Sequence, residues 1–225
     1  MKSSKSRNKP LISFDLDQTL VESIQAHSKS FAQAFKKEGM KINERSIRKF
    51  IDGRHSREVI LSIKPGLDKE AIQRIRRWHH KFLKKTIKFA HPIPKVLEAL
   101  KKLKKDYELA LVTNCSRQEE VLLMKASKIP KNIFDVYVLA SQVKHPKPWP
   151  DEIFKAEHLA RVKSDIHVGD SVYDIIAAKK AKAKMIAVTT GQTSRAKLSR
   201  YHPNYIIKSV AELPALLKKI EKKVH

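Results

Sequence analysis

The sequence predicts an α/β protein: a doubly wound, mostly parallel sheet with an all-helical segment inserted after the first strand. Three observations predict it. Short β-branched and apolar runs recur along the 225 residues. Between most of them, apolar residues fall at helical spacing. One interval, residues 21–90, carries helical patterns and no convincing strand.

Taken in order, Leu11–Phe14 reads as the first strand and stops at Asp15. Glu108–Thr113 reads as the second, 134–139 as the third, 165–168 as the fourth and 185–188 as the fifth, with Tyr205–Ile207 as a short edge strand. Helical spacing joins them. Residues 94–105 align Val96, Leu97, Leu100 and Leu103, and Arg117–Ser127 aligns Val121, Leu122 and Met124. Residues 150–161 carry Ile153, Phe154, Leu159 and Ala160; 171–181 carry Val172, Ile175, Ile176 and Ala178; 210–220 close the chain as an amphipathic segment. Strand, helix and strand in repetition imply parallel pairing through right-handed crossovers, with helices on both faces. Ligands in such sheets bind beyond the carboxyl ends of the strands.

The inserted segment has two apolar stripes: Phe31, Ala34 and Phe35, then Ile72, Ile75, Trp78, Phe82 and Leu83. Breaks fall at Gly39, Gly53 and Pro65-Gly66. Placed after strand one, it covers the strand ends as a lid. Trp78 with Phe82 reads as core rather than as a platform for nucleic-acid bases. Residues 22–90 hold 18 Lys/Arg against 7 Asp/Glu, which solvates helix faces and can steer anions to the site mouth.

Composition narrows the class. With 41% hydrophobic and 32% charged residues, the chain reads as a charge-rich globular protein. No stretch approaches the roughly 20 apolar residues of a membrane span. Residues 1–10 are basic but precede no long apolar run, so they read as a solvated tail rather than a secretory signal. A single cysteine, Cys115, excludes an intrachain disulfide and suits a reducing cytoplasm. The ten histidines lack H-x-x-x-H spacing, which argues against zinc. The net charge of +25 attracts anionic substrates and makes nucleic acid a candidate partner without favouring it, because no recognition motif accompanies the charge.

Carboxylates gather at the strand ends. Asp15 and Asp17 close the first strand, and residues two apart project to one side. Two such carboxylates repel unless a proton or a cation separates them, and a hard divalent ion with oxygen ligands answers that need. In Val168-Gly169-Asp170-Ser171-Val172-Tyr173-Asp174 a strand gives way to a helix, and Asp170 and Asp174 share a helix face at its N-terminus. Singly, each aspartate reads as a cap or turn residue; two patterned pairs on one sheet edge read as a site. Thr113 and Asn114 end the second strand, where a hydroxyl and backbone N–H groups suit phosphate oxygens. Lys147 follows the third strand in a loop stiffened by Pro146, Pro148 and Pro150.

These residues resemble the haloacid dehalogenase superfamily, in its members with a helical cap after strand one. All four of its motifs occur in order: Asp15-Leu16-Asp17-Gln18-Thr19, Thr113, Lys147-Pro148, and Gly169-Asp170 with Asp174. Lys147-Pro148-Trp149-Pro150-Asp151 and Ala187-Val188-Thr189-Thr190-Gly191 look like the phosphoglycolate-phosphatase and pyrophosphatase group. The resemblance implies a Rossmann-like core domain from residues 1–20 and 91–225, and a cap domain from 21–90. It implies Asp15 as nucleophile forming an aspartyl phosphate, and Asp17 as general acid and then base. Thr113, Asn114 and Lys147 would hold the phosphoryl group. Asp15, Asp17 (through its carbonyl), Asp170 and Asp174 (directly or through water) would hold Mg²⁺. Asp17 favours phosphoryl transfer over dehalogenation, because a halide leaves without a proton. Gln18 stands where glycine is common, and Glu22 where aspartate is common. In Ile51-Asp52-Gly53-Arg54-His55-Ser56, a cap loop, Arg54 would contact an anionic substrate group, while His55 is the weaker candidate. Cys115 reads as an inert thiol beside the site.

The implied substrate is a small phosphorylated metabolite, phosphoglycolate-like, a sugar phosphate or pyrophosphate, acted on by a monomer or homodimer. A phosphomutase is the alternative within the fold. A nucleic-acid-associated phosphatase or binding protein is the alternative from another class.

Overall fold

The computed structural model describes residues 9–222; the basic N-terminal segment lies outside them except at its last two residues. Residues Leu11–Phe14 form β1, followed by β2 (Val21–Glu22), α1 (Ile24–Lys37), α2 (Glu44–Arg48), α3 (Ser56–Ile63) and α4 (Lys69–Thr86). Then come β3 (His91–Pro92), α5 (Val96–Leu103), β4 (Glu108–Thr113), α6 (Arg117–Ser127), β5 (Val136–Leu139), α7 (Asp151–Ala160) and β6 (Ser164–Gly169). The chain ends with α8 (Val172–Ala181), β7 (Lys184–Val188), α9 (Arg195–Ser199), β8 (Tyr205–Ile207) and α10 (Leu213–Glu221).

Six strands form one parallel sheet in the order β5-β4-β1-β6-β7-β8. The chain leaves β1 toward β4 and β5 on one side and toward β6, β7 and β8 on the other. That reversal makes the carboxyl end of β1 a topological switch point, where a crevice opens for ligands. Strand alternation supplies both faces. In β4, Leu109 and Leu111 pack with Phe14, Val96, Leu100 and Leu123. Ala110 and Val112, one residue out of phase, pack on the other face with Ile153, Ala156, Ile175 and Ala178. Burying a side chain such as Phe14 contributes roughly 1.5–3 kcal/mol.

Several boundaries differ from the sequence reading. The third strand starts at Val136, because Lys131–Ile133 form a 3-10 turn and the Asp135 carboxylate accepts from Leu109 N at 2.9 Å. The closing helix is split: Val210–Glu212 is 3-10, and Pro214 fits the first turn of the helix that follows. A two-strand antiparallel ladder, β2 with β3, stands at the two chain crossings into the helical segment, where the sequence predicts no strand.

The helical segment has its own core of Phe31, Ala34, Phe35, Ile47, Ile60, Ile72 and Ile75, with Trp78 and Phe82 packed partly buried against it. Asp68 caps α4 by accepting from Ala71 N at 2.6 Å, and Lys84 and Lys85 occupy its last turn. The segment sits down on the sheet's carboxyl edge. Gly53 has φ +89°, and a β-carbon there would lie 2.5 Å from Ser171 Oγ. Its carbonyl accepts from Asn114 Nδ2 at 2.7 Å. No helix among the described residues is long and apolar enough to cross a membrane.

Candidate active site

Each strand end delivers what the motifs predict. Asp15 follows β1, and its N–H is held by Val168 O of β6 at 2.9 Å. Asp170 follows β6, and Thr113 ends β4. Ser171 and Asp174 form a capping box at the start of α8, so one carboxylate serves both helix and site. Lys147, in a loop with a cis Lys147-Pro148 bond, reaches inward and is 3% exposed. Its Nζ donates to Asp15 Oδ1 at 2.6 Å, Asp174 Oδ1 at 2.7 Å and Val112 O at 3.0 Å. Burial opposes a charged ammonium, but Asp15 and Asp174 outweigh it and hold Lys147 above the usual lysine range.

The carboxylates are unequal. Asp174 accepts from Lys147 and His167 on one oxygen and from Ser171 on the other. Burial alone would raise its pKa; Lys147 and His167 pull it below the carboxylate range. Its oxygens are thus met by protein donors, and Lys147 is held between it and Asp15. Asp15 is pushed up to about 8, mainly by burial, with Lys147 only partly offsetting it. Burial and the Asp174 charge push Asp170 well up. Asp15 Oδ2 and Asp170 Oδ2 are buried and accept no hydrogen bond. A β-carbon at Gly191 would stand 1.7 Å from Asp170 Oδ2, so glycine there keeps that oxygen clear. Ligand atoms of Asp15, Asp170 and Asp174 lie within 4.8 Å of one another. Two bare carboxylate oxygens with raised pKa values fit a hard divalent cation such as Mg²⁺.

Asp17 departs from the expected set. Its carboxylate turns away from Asp15 toward the helical segment, where Ser23 Oγ and His27 Nε2 (3.2 Å) meet Oδ1 and Cys115 Sγ (2.7 Å) meets Oδ2. Those donors hold the side chain outside the carboxylate cluster, in keeping with an expected metal contact through the backbone carbonyl alone. Burial raises its pKa, and His27 and the hydrogen bonds more than reverse that. Burial and Asp17 keep the Cys115 thiol protonated. Gln18 takes a left-handed φ of 58°, the conformation that favours glycine, and its amide lies 2.8 Å from Ser23 Oγ.

The remaining sequence candidates find structural partners. Asn114 Nδ2 bonds Gly53 O and Lys147 O, tying the helical segment, the strand end and the lysine loop together. Thr113 Oγ1 accepts from Cys115 N at 3.2 Å. Arg54 pairs with Asp52 at 2.9 Å and lies 2.5 Å from Ser62 Oγ, yet it lines the same cavity as Asp15 and Asp17. His55 caps α3. The cavity measures about 50 Å³.

Sequence reasoning missed His27, His79, Glu119 and His167. Their spacing carries no motif; packing of α1, α4 and α6, and pairing of β1 with β6, bring them in.

The profile of the haloacid dehalogenase-like hydrolases matches residues 12–188. The chain belongs to that family. A pyrophosphatase, PpaX, of Bacillus mycoides is 27% identical over 221 residues, covering 92% of this chain and 96% of that protein. A hydrolase from Pseudomonas syringae superimposes with a TM-score of 0.83 at 21% identity, covering 94% of this chain and 99% of that one. A predicted phosphatase from Clostridium acetobutylicum gives the same TM-score at 25% identity and the same coverage. This family member is a hydrolase with the parallel sheet the sequence predicts.

Proposed function

We propose that this hydrolase is a Mg²⁺-dependent phosphatase that acts on a small phosphorylated metabolite through an aspartyl phosphate at Asp15. The observation that carries this reading is the asymmetry of Asp15: Oδ1 lies 2.6 Å from Lys147 Nζ, while Oδ2 is buried and bare beside the cavity. The likeness to a pyrophosphatase supports a small phosphate substrate.

Asp15 attacks phosphorus, the bond to the leaving oxygen breaks, and that oxygen takes a proton from Asp17. The His27–Asp17 pair supplies that proton: Asp17 raises the His27 pKa against the effect of burial, and 3.2 Å separates the two groups. Water then attacks phosphorus, Asp17 accepts its proton, and Asp15 is freed. Lys147 offsets the charge that repels an anionic nucleophile from phosphate. Thr113, Asn114 and the following backbone hold the phosphoryl oxygens, and Arg54 meets an anionic part of the substrate once the helical cap (residues 21–90) lifts from the core (1–20 and 91–225). Asp15 and Asp170, with the Asp17 carbonyl and with Asp174 directly or through water, would hold Mg²⁺, which neutralises phosphoryl charge when bound.

Acid quench during turnover of a radiolabelled phosphate ester tests the intermediate. Label should stay on the wild-type chain and be released by hydroxylamine, and Asp15→Asn should carry none. Equal label on both would place the nucleophile elsewhere. Return of label to an isomerised ester without free phosphate would identify a mutase.

A further inference from the structure

The cap–core junction holds a second convergence of ligand atoms. His27 comes from α1, His79 from α4 and Glu119 from α6. His27 Nδ1 lies 3.4 Å from His79 Nε2, which lies 3.1 Å from Glu119 Oε1. The three atoms fall within 4.8 Å of one another, and all three side chains are buried.

Partners on the far sides hold the outer atoms. His27 Nε2 faces Asp17 Oδ1, and a carboxylate only accepts, so this nitrogen carries hydrogen. Ser30 Oγ lies 2.9 Å from His27 O and 2.7 Å from His79 Nδ1, and so holds the outer nitrogen of that ring. Glu119 Oε2 is taken by Ser116 N at 2.7 Å, in the capping box of α6. His27 Nδ1 thus faces His79 Nε2, and His79 Nε2 faces Glu119 Oε1. Three such atoms, buried together, need a proton or a cation among them. His80 Nε2 stands 3.6 Å from the same oxygen and 3.2 Å from Ser116 Oγ.

The spacing fits one ion. Tetrahedral bonds of about 2.0–2.1 Å put neighbouring ligand atoms about 3.3 Å apart and two bound imidazole centroids about 5.2 Å apart. The His27 and His79 centroids are 5.3 Å apart. Each ligand also has the outer hydrogen bond that fixes metal-binding side chains, to Asp17, Ser30 and Ser116.

We propose that His27, His79 and Glu119 bind a divalent cation of the zinc class, with the remaining position open to the cavity that His27 and Glu119 line. The ion clips two cap helices to a core helix, so its binding holds the cap closed over Asp15 and holds Asp17 through His27. It binds in place of a proton shared among the same three atoms. The site is separate from the carboxylate cluster and stands whether or not the phosphatase reading does.

The test uses the full chain, stripped with chelator and dialysed against zinc chloride in a large excess of magnesium chloride. Bound zinc is read by mass spectrometry. Wild type and Asp170→Asn should each retain about one zinc per chain. His79→Gln and Glu119→Gln, each checked for native circular dichroism, should retain none. Ser30→Ala should bind about 10- to 100-fold more weakly. Cobalt(II) in wild type should give the visible band of a tetrahedral site, absent from either ligand variant. No zinc on wild type, leaving a shared proton as the cation, would overturn the proposal. So would equal zinc on both ligand variants, or zinc lost only from Asp170→Asn.

Discussion

Two buried clusters flank the cavity, and they solve the same electrostatic problem in opposite ways. Around Asp15, one lysine pairs with two of three clustered aspartates, Asp15 and Asp174, and the Oδ2 atoms of Asp15 and Asp170 remain bare. Around Asp17, a hydroxyl, a thiol and an imidazole saturate one carboxylate. The first cluster is left short of positive charge, as the proposed cation and phosphoryl group require. The second surrounds its carboxylate with hydrogen-bond donors. Adjacent motif residues, two apart in sequence, therefore belong to different machinery.

The sharpest way to break the first cluster is Lys147→Met. It leaves Asp15, Asp170 and Asp174 buried without their ammonium, and breaking such a pair costs about 3–5 kcal/mol. Denaturant midpoints should fall accordingly and recover in part with Mg²⁺; an unchanged midpoint would mean that the lysine does not balance these carboxylates. The corresponding change in the second cluster, Asp17→Asn, should leave the fold intact and cut kcat by about 10²- to 10⁴-fold, the usual range for a positioned acid–base group. The loss should shrink for substrates whose leaving groups need no proton, and a uniform loss would argue against the acid role.

A third, smaller effect separates burial from pairing. Glu152, in the first turn of α7, is 0% exposed, and burial pushes its pKa up to about 7 against the pull of Lys147. A carboxyl raised in the folded state stabilises below its unfolded pKa of about 4.5, and that contribution fades as pH rises through about 7, at most about 3 kcal/mol. Glu152→Gln should therefore gain on wild type between about pH 4.5 and 7 and hold that gain above it. Parallel stability curves for the two proteins would mean that Glu152 stays ionised.

The first cluster was legible in the sequence because each member sits at the end of an apolar strand or within a short motif, and parallel pairing places all strand ends on one edge. Asp15, Asp170, Asp174 and Lys147 meet there. The second was not. His27 and His79 are 52 residues apart, and Glu119 lies in the first turn of another helix, in its capping box. Only the seating of α1 and α4 on α6 brings them together. The β2–β3 ladder escaped for a simpler reason: two residues per strand carry no periodicity, and Pro92 argues against a strand. The cap-loop reading was partial. Arg54 reaches the cavity, but its guanidinium is engaged by Asp52 and Ser62 while the cap is down.

The central claim, that Asp15 works as a metal-assisted nucleophile on phosphate, is tested most directly by phosphate release from a panel of small phosphate esters and pyrophosphate. Wild type and Asp15→Asn should be compared with Mg²⁺ and with chelator. The account predicts release by wild type that needs Mg²⁺ and falls by a factor on the order of 10⁴ or more in Asp15→Asn. Release that persists in the variant, or that ignores the chelator, would contradict it.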